Sequence, residues 1–199
     1  MSDLFEVVHR QRACRSFSDD EVGDEIVGRI LDAATFAPSA ENRQPWVFVV
    51  VRDREIAGRI HDLTARAWDA GGREMAASRL DATLLDEVDR GITAGGYRGA
   101  PVLVVVAADT ERCLTATIAS SVFPATQNLL LAATALGLGS ALTTLTTAFG
   151  TELSSILDLP PHVIPQVVVP LGYPARPLGP PRREPFAEHT HRDRYGVRW

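Results

Sequence analysis

Two short stretches of the 199-residue sequence carry side chains whose types and spacing suit an anionic, hydrogen-bonding small molecule. In Gln11-Arg12-Ala13-Cys14-Arg15-Ser16-Phe17, Arg12 and Arg15 stand three apart. On a continuing helix they share a side and offer two guanidinium forks to one phosphate, whereas Arg10 points elsewhere. Taken alone, a solvated basic helix end that complements the helix dipole is the simpler account of this cluster. In Ala37-Pro38-Ser39-Ala40-Glu41-Asn42-Arg43-Gln44-Pro45-Trp46, a hydroxyl at Ser39 and amides at Asn42 and Gln44 fall on a loop held at both ends by prolines. Amides both donate and accept, which suits the alternating edge of a pyrimidine-like ring. A turn whose polar groups satisfy their own backbone is the simpler account of this loop taken alone. Cys14, between arginines, could be a lowered-pKa thiol, but burial as a small apolar residue is the expected role. His189 and His191 near Asp193 sit in a proline-rich tail that reads as solvated, so no metal site is expected.

The elements that must position these residues follow from hydrophobic periodicity. Ser2-Asp3 can cap a helix whose Leu4, Val7 and Val8 share a face. From Asp24 to Phe36, Ile26, Ile30, Ala33 and Ala34 recur at helical spacing, and Pro38 ends the pattern. Trp46 to Val51 and Pro101 to Ala108 are continuous apolar runs, expected as strands covered on both faces. Between them, Ile56–Ala70 and Arg73–Ile92 predict more charged helices over the sheet or beside a cleft. Ala116–Leu136 is apolar nearly all round and predicts a central helix, closed by glycine in Gly137-Leu138-Gly139. Val163 to Leu171 predicts another strand, and the prolines after Tyr173 favour an extended segment. Strands separated by helices indicate a layered α and β domain at residues 1–173, with residues 174–199 as its extended C-terminal segment.

Composition narrows the function classes. At 45% hydrophobic and 23% charged residues the chain can bury a core. A net charge of −5 gives no global basis for gripping nucleic acid, so any phosphate binding must be local. The most apolar stretch, Leu129 to Leu142, is interrupted by Thr134, Gly137, Gly139 and Ser140 and falls short of the roughly 18 apolar residues of a membrane span. The start, Met-Ser-Asp-Leu-Phe-Glu, lacks the basic segment of a signal peptide, and the two cysteines lie far apart without metal or disulfide spacing. A soluble, cytoplasmic protein is expected.

Four segments in order along nearly the whole chain resemble the nitroreductase-like flavoprotein family. They are Gln11 to Phe17, Ala37 to Trp46, Gln127-Asn128-Leu129 with Leu136-Gly137-Leu138-Gly139-Ser140, and Leu171-Gly172-Tyr173-Pro174 followed by Arg182-Arg183. Gln11 and Ala13 depart from the family pattern, which often has arginine and serine at those places. The resemblance implies an FMN-binding α+β fold with a central mixed sheet flanked by helices. It also implies a homodimer with flavins at the subunit interface and a C-terminal tail packed on the partner. By position it implies that Arg12 and Arg15, joined by Arg182 or Arg183, hold the FMN phosphate and ribityl end. Ser39, Asn42 and Gln44 line the flavin, and Thr143, Thr144 and Leu145 offer backbone groups near the reactive edge of the ring.

A flavin accepts and donates hydride at its own ring, so no catalytic acid, base or nucleophile need be encoded. The expected function is an FMN-dependent oxidoreductase that takes hydride from NADH or NADPH and reduces a small planar acceptor such as a nitroaromatic or quinone. Two rivals stand beside it. One is a flavin-fragmenting enzyme of the same fold, and the other a non-catalytic dimeric module that docks a partner through its tail.

Overall fold

The computed structural model describes residues 3–93 and 97–199. Ser2, expected to help cap the first helix, lies outside them. Asp3 occupies the N-cap position of α1 (Leu4–Arg10) without a side-chain capping bond. The chain continues through α2 (Asp24–Thr35), β1 (Trp46–Val51), α3 (Arg54–Ala67), α4 (Arg73–Ala77) and α5 (Ala82–Thr93). There follow β2 (Val102–Asp109), α6 (Ile118–Ala135), β3 (Gly139–Ser140), α7 (Gly150–Ile156) and β4 (Val163–Gly172).

The strands form one sheet in the order β1-β2-β4-β3. Every ladder is antiparallel, with Val49 opposite Val105 and Val105 opposite Val168. A mixed sheet is expected from the sequence, but the parallel component among the described residues is a single bridge between Ala13 and Ser140. A bulge at Val106/Ala107 leaves Gln166 unpaired beside Pro165, where a residue without an N–H costs no ladder bond.

β2 explains the layering. Val102, Val104, Val106 and Ala108 face a core shared with Ile30 and Ala34 of α2 and Val122, Leu129 and Ala133 of α6. Leu103 and Val105, on the other face, pack with Ile60 and Leu63 of α3, Ile92 of α5 and Leu153 of α7. The sheet therefore lies between two helical layers. Each fully buried valine or leucine there contributes about 1.5–3 kcal/mol relative to exposure. β1 reads like β2 in sequence but is an edge strand. It is not covered on both faces, and Val50 is 37% exposed, because burial there is set by strand order and not by local composition.

Local chemistry sets the helix ends. The Asp53 carboxylate accepts from the N–H groups of Glu55 and Ile56 and caps α3. The helix expected over Arg73–Ile92 is two helices, because Asp81 accepts from the Leu84 N–H and starts α5 afresh. The helix expected to reach Ala70 gives way at Trp68 to a wide turn, with Gly71 at φ 126. α6 closes as expected at Gly137, φ 82, where the Gly137 and Leu138 N–H groups bond to the carbonyls of Thr134 and Ala133. No helix among the described residues is long and apolar enough to cross a membrane.

Candidate functional site

The arginine stretch is positioned by strand-like pairing and not by a helix. α1 stops at Arg10, and the Cys14 N–H donates to the Ser140 carbonyl at 2.9 Å. Ser16 and Ser18 then bond to Ala175 and Tyr173, zipping the stretch against the start of the tail. The expected helical register of Arg12 and Arg15 is thus corrected: the sheet edge captures the backbone groups that a longer helix would need. Cys14 packs so closely over Gly139 that a Cβ there would lie 2.6 Å from its sulfur. Burial pushes the Cys14 thiol pKa up despite Arg15 and Arg12 nearby, and the thiol donates to the Ser16 carbonyl.

Arg12 and Arg15 nonetheless converge. Both line a cleft of about 600 Å³ with Leu84 and Glu87 of α5 and with Arg182 and Arg183 of the tail. A second cleft of about 520 Å³ adjoins it through Arg12, Arg15 and Glu87 and adds Arg90 and Arg176. Glu87 Oε2 stands 3.9 Å from Arg12 Nη2 and 4.0 Å from Arg15 Nη1. Arg12 also donates to the Gly179 carbonyl at 3.1 Å, tying the tail to the cleft. The Arg15 stem rests on Gly91, where an added Cβ would lie 3.0 Å from Arg15 Cβ. Among the described residues Arg15 Nε is buried without a hydrogen-bond partner. Beside it the buried Tyr97 phenol has its pKa raised by burial, with the charge of Arg15 and its side-chain hydrogen bond to the phenol opposing that shift.

The second stretch lies elsewhere. The Ser39–Gln44 loop makes a short 3-10 turn at Ala40–Asn42 and docks on α6, the Ala40 N–H donating to Ser121 Oγ at 3.2 Å. Glu41, Asn42 and Gln44 all take positive φ, of 54, 53 and 50 degrees, a concentration of left-handed backbone that non-glycine residues rarely adopt. Ser39 Oγ accepts from the Gln44 N–H, and Gln44 Nε2 donates to Asn42 Oδ1 at 3.3 Å. None of the three expected residues lines either arginine cleft.

A third group, Thr143 to Leu145, runs beside β4. Thr143 exchanges both backbone bonds with Val168 at 3.0 Å, and its Oγ1 accepts from the Leu145 N–H. Leu145 packs in the cluster that holds Trp68. The Thr144 N–H is therefore the backbone donor of the three without a partner among the described residues.

With this arrangement in view, the likeness to known proteins is informative. The Nitroreductase family profile matches residues 8–173. A Methanothermobacter thermautotrophicus protein, named as a candidate NADH dehydrogenase/NAD(P)H nitroreductase, is 32% identical over 186 residues, covering 89% of this chain and 80% of its own length. The chain belongs to the Nitroreductase family. Within that family, the solved nitroreductase of Desulfitobacterium hafniense with bound FMN has a TM-score of 0.75 at 25% identity, over 97% of this chain and 100% of that one. Iodotyrosine deiodinase 1 of Mus musculus is 27% identical over 181 residues, covering 87% of this chain and 63% of its own.

In this member of the family the four expected arginines meet in one cleft, while the loop and the Thr143–Leu145 stretch stand apart from it. Glu87 and Tyr97 join the arginines without any signal in the sequence. Glu87 is one acid among several on a charged helix, and Tyr97 follows that helix with no motif around it. His189 contacts Glu184 at 3.0 Å, and His191 packs against Tyr195 with ring centroids 4.5 Å apart and the rings tilted by 59°. Asp109, Glu111 and His162 bring one ligating atom each within 4.8 Å of one another. Glu111 is largely exposed there and faces His162 at 3.8 Å, an ordinary surface contact.

Proposed function

We propose that this chain is an FMN-dependent oxidoreductase that takes hydride from NADH or NADPH and passes it to a small planar acceptor such as a nitroaromatic or quinone. The observation that carries the reading is the convergence of Arg12, Arg15, Arg182 and Arg183 on one cleft, with Arg15 Nε buried and unpartnered among the described residues. That donor set fits a phosphomonoester. Guanidinium forks match phosphate oxygens, and the acid nearest to Arg12 and Arg15 stands beyond hydrogen-bond distance of both. FMN, when bound, supplies the hydride chemistry at its own ring.

The residues of this chain bind, orient and shield. The arginines hold the phosphate end. Ser39, Asn42 and Gln44 offer a hydroxyl and two amides to the polar edge of the ring or to the ribityl hydroxyls. The Thr144 N–H would offer a donor to the ring edge that gains charge on reduction. Because the loop and the arginine cleft stand apart in one chain, a complete site draws on two subunits. A homodimer also suits the exposed Leu4, Phe5 and Val8 of α1, Phe36 after α2, and Phe186 and Trp199 of the tail, which residues 174–199 would pack on the partner. The free Cys14 and Cys113 suit a reducing cytoplasm.

The test is the visible spectrum of the purified protein followed by anaerobic titration with each nicotinamide. A yellow protein bleached by NADH or NADPH and reoxidised by a nitroaromatic or quinone is the expected result. A colourless protein that FMN cannot reconstitute would overturn the reading in favour of a docking module. Loss of flavin absorbance that reoxidation does not restore would favour flavin fragmentation. A halogenated phenol belongs in the same panel of acceptors, because the mouse deiodinase aligns with 87% of this chain.

A further inference from the structure

The clamp contains its own competing anion. α5 presents two faces: Leu85, Val88 and Ile92 pack into the core, while Leu84, Glu87 and Gly91, at helical spacing, line the arginine clefts. Other acids of α5 are engaged away from Arg12 and Arg15. Asp86 pairs with Arg90 at 2.7 Å, and Asp89 accepts from Trp68 Nε1 and Arg73 Nε. Among the described residues Glu87 accepts no such bond. Its carboxylate stands almost equally far from Arg12 and Arg15, at 3.9 and 4.0 Å, so it neutralises both guanidinium groups without occupying a donor of either. The three side chains are only 22–30% exposed, which limits solvent screening of these charges.

We infer that Glu87 is a built-in competitor for the anion position of the arginine clamp, setting how strongly the site prefers a phosphorylated flavin over the same flavin without phosphate. The inference rests on the FMN reading above and deepens it. A phosphate dianion entering between Arg12 and Arg15 meets a carboxylate within the same reach, and that repulsion offsets part of the guanidinium attraction. A flavin without the phosphate does not meet this repulsion. Glu87 therefore acts on phosphate recognition and not on recognition of the ring.

The experiment compares FMN and riboflavin affinities of the full chain by fluorescence titration, in the parent, in Glu87→Gln and in Glu111→Gln. The last removes the same charge from the surface pair with His162 at the end of β2, remote in sequence from the clamp. Glu87→Gln is expected to tighten FMN on the order of tenfold and leave riboflavin unchanged. Glu111→Gln is expected to change neither. Unchanged or weaker FMN binding in Glu87→Gln, with the parent still preferring FMN over riboflavin, would overturn the role of Glu87 alone. So would equal tightening in Glu111→Gln, which would mark a net-charge effect. A parent that binds both flavins equally would remove the phosphate clamp itself and this inference with it. Should Glu87→Gln fail to fold, Glu87→Asp draws the carboxylate back and is read the same way: tighter FMN with riboflavin unchanged supports the inference, and unchanged FMN overturns it.

Discussion

The arginine cleft and the Ser39–Gln44 loop are both built from short polar stretches beside regular secondary structure, yet one chain treats them differently. The cleft is assembled over long sequence distances, as Arg12 bonding to Gly179 and facing Glu87 illustrates, and it leaves Arg15 Nε without a partner among the described residues. The loop is assembled locally. Its amides bond to each other, and its left-handed residues are held by Ser39 Oγ and by Ser121 of α6. A cleft lined by four guanidinium groups offers donors to an anion with few bonds to exchange. A region whose polar groups are paired among themselves must exchange those bonds for ligand bonds. The cleft should therefore dominate flavin affinity, and the loop should tune it.

The strongest way to break this comparison is truncation after Tyr173, which removes Arg182, Arg183 and the Gly179 carbonyl that holds Arg12. Complete loss of bound flavin and a weaker dimer are expected. A truncated protein that remains dimeric and yellow on size-exclusion chromatography with absorbance detection would mean that the tail contributes nothing to either.

Flavin loss in acid belongs to neither region until global stability is accounted for. His61 on α3 is buried, and burial, with Arg98 adding to it, lowers its pKa from 6.5 to about 4. Between those values the unfolded chain binds the proton and the folded chain does not. Its contribution is therefore complete above pH 6.5 and is lost as pH falls through 4, amounting to about 3 kcal/mol. Thermal melts of His61→Gln are expected to show a shallower decline over this window than the parent. Equal slopes would assign acid sensitivity to other groups.

Within the cleft, Arg15→Ala is expected to weaken FMN binding by about 1.5–3 kcal/mol, whereas Arg10→Ala should do little, because Arg10 is engaged with Glu6 at 3.2 Å. Equal affinities of both variants and the parent in a fluorescence titration would remove the arginines from the site. Within the loop, Gln44→Ala is expected to cost about 1 kcal/mol of FMN affinity and to shift the flavin reduction potential, with near-parental melting once FMN is in excess. An unchanged affinity and potential would return the loop to a purely structural turn.

The periodicity of residues 24–36, the apolar run of residues 101–108 and the glycine after α6 are local signals, because side-chain period and backbone freedom are properties of a few consecutive residues. They determined α2, β2 and the end of α6 without reference to the rest of the chain. The arginine and amide stretches were likewise legible as polar groups beside confident elements, and their order along the chain carried the family. What local pattern cannot encode is which distant segment becomes a neighbour. β1 and β2 read alike, but strand order makes one an edge and the other fully enclosed. Arg12 and Arg15 meet because Ser140 captures the backbone between them, not because a helix continues. Glu87 became the counter-ion of both only when α5 packed beside them, a relation written in no residue spacing and decided by burial of Leu85, Val88 and Ile92 on the adjoining face of the same helix.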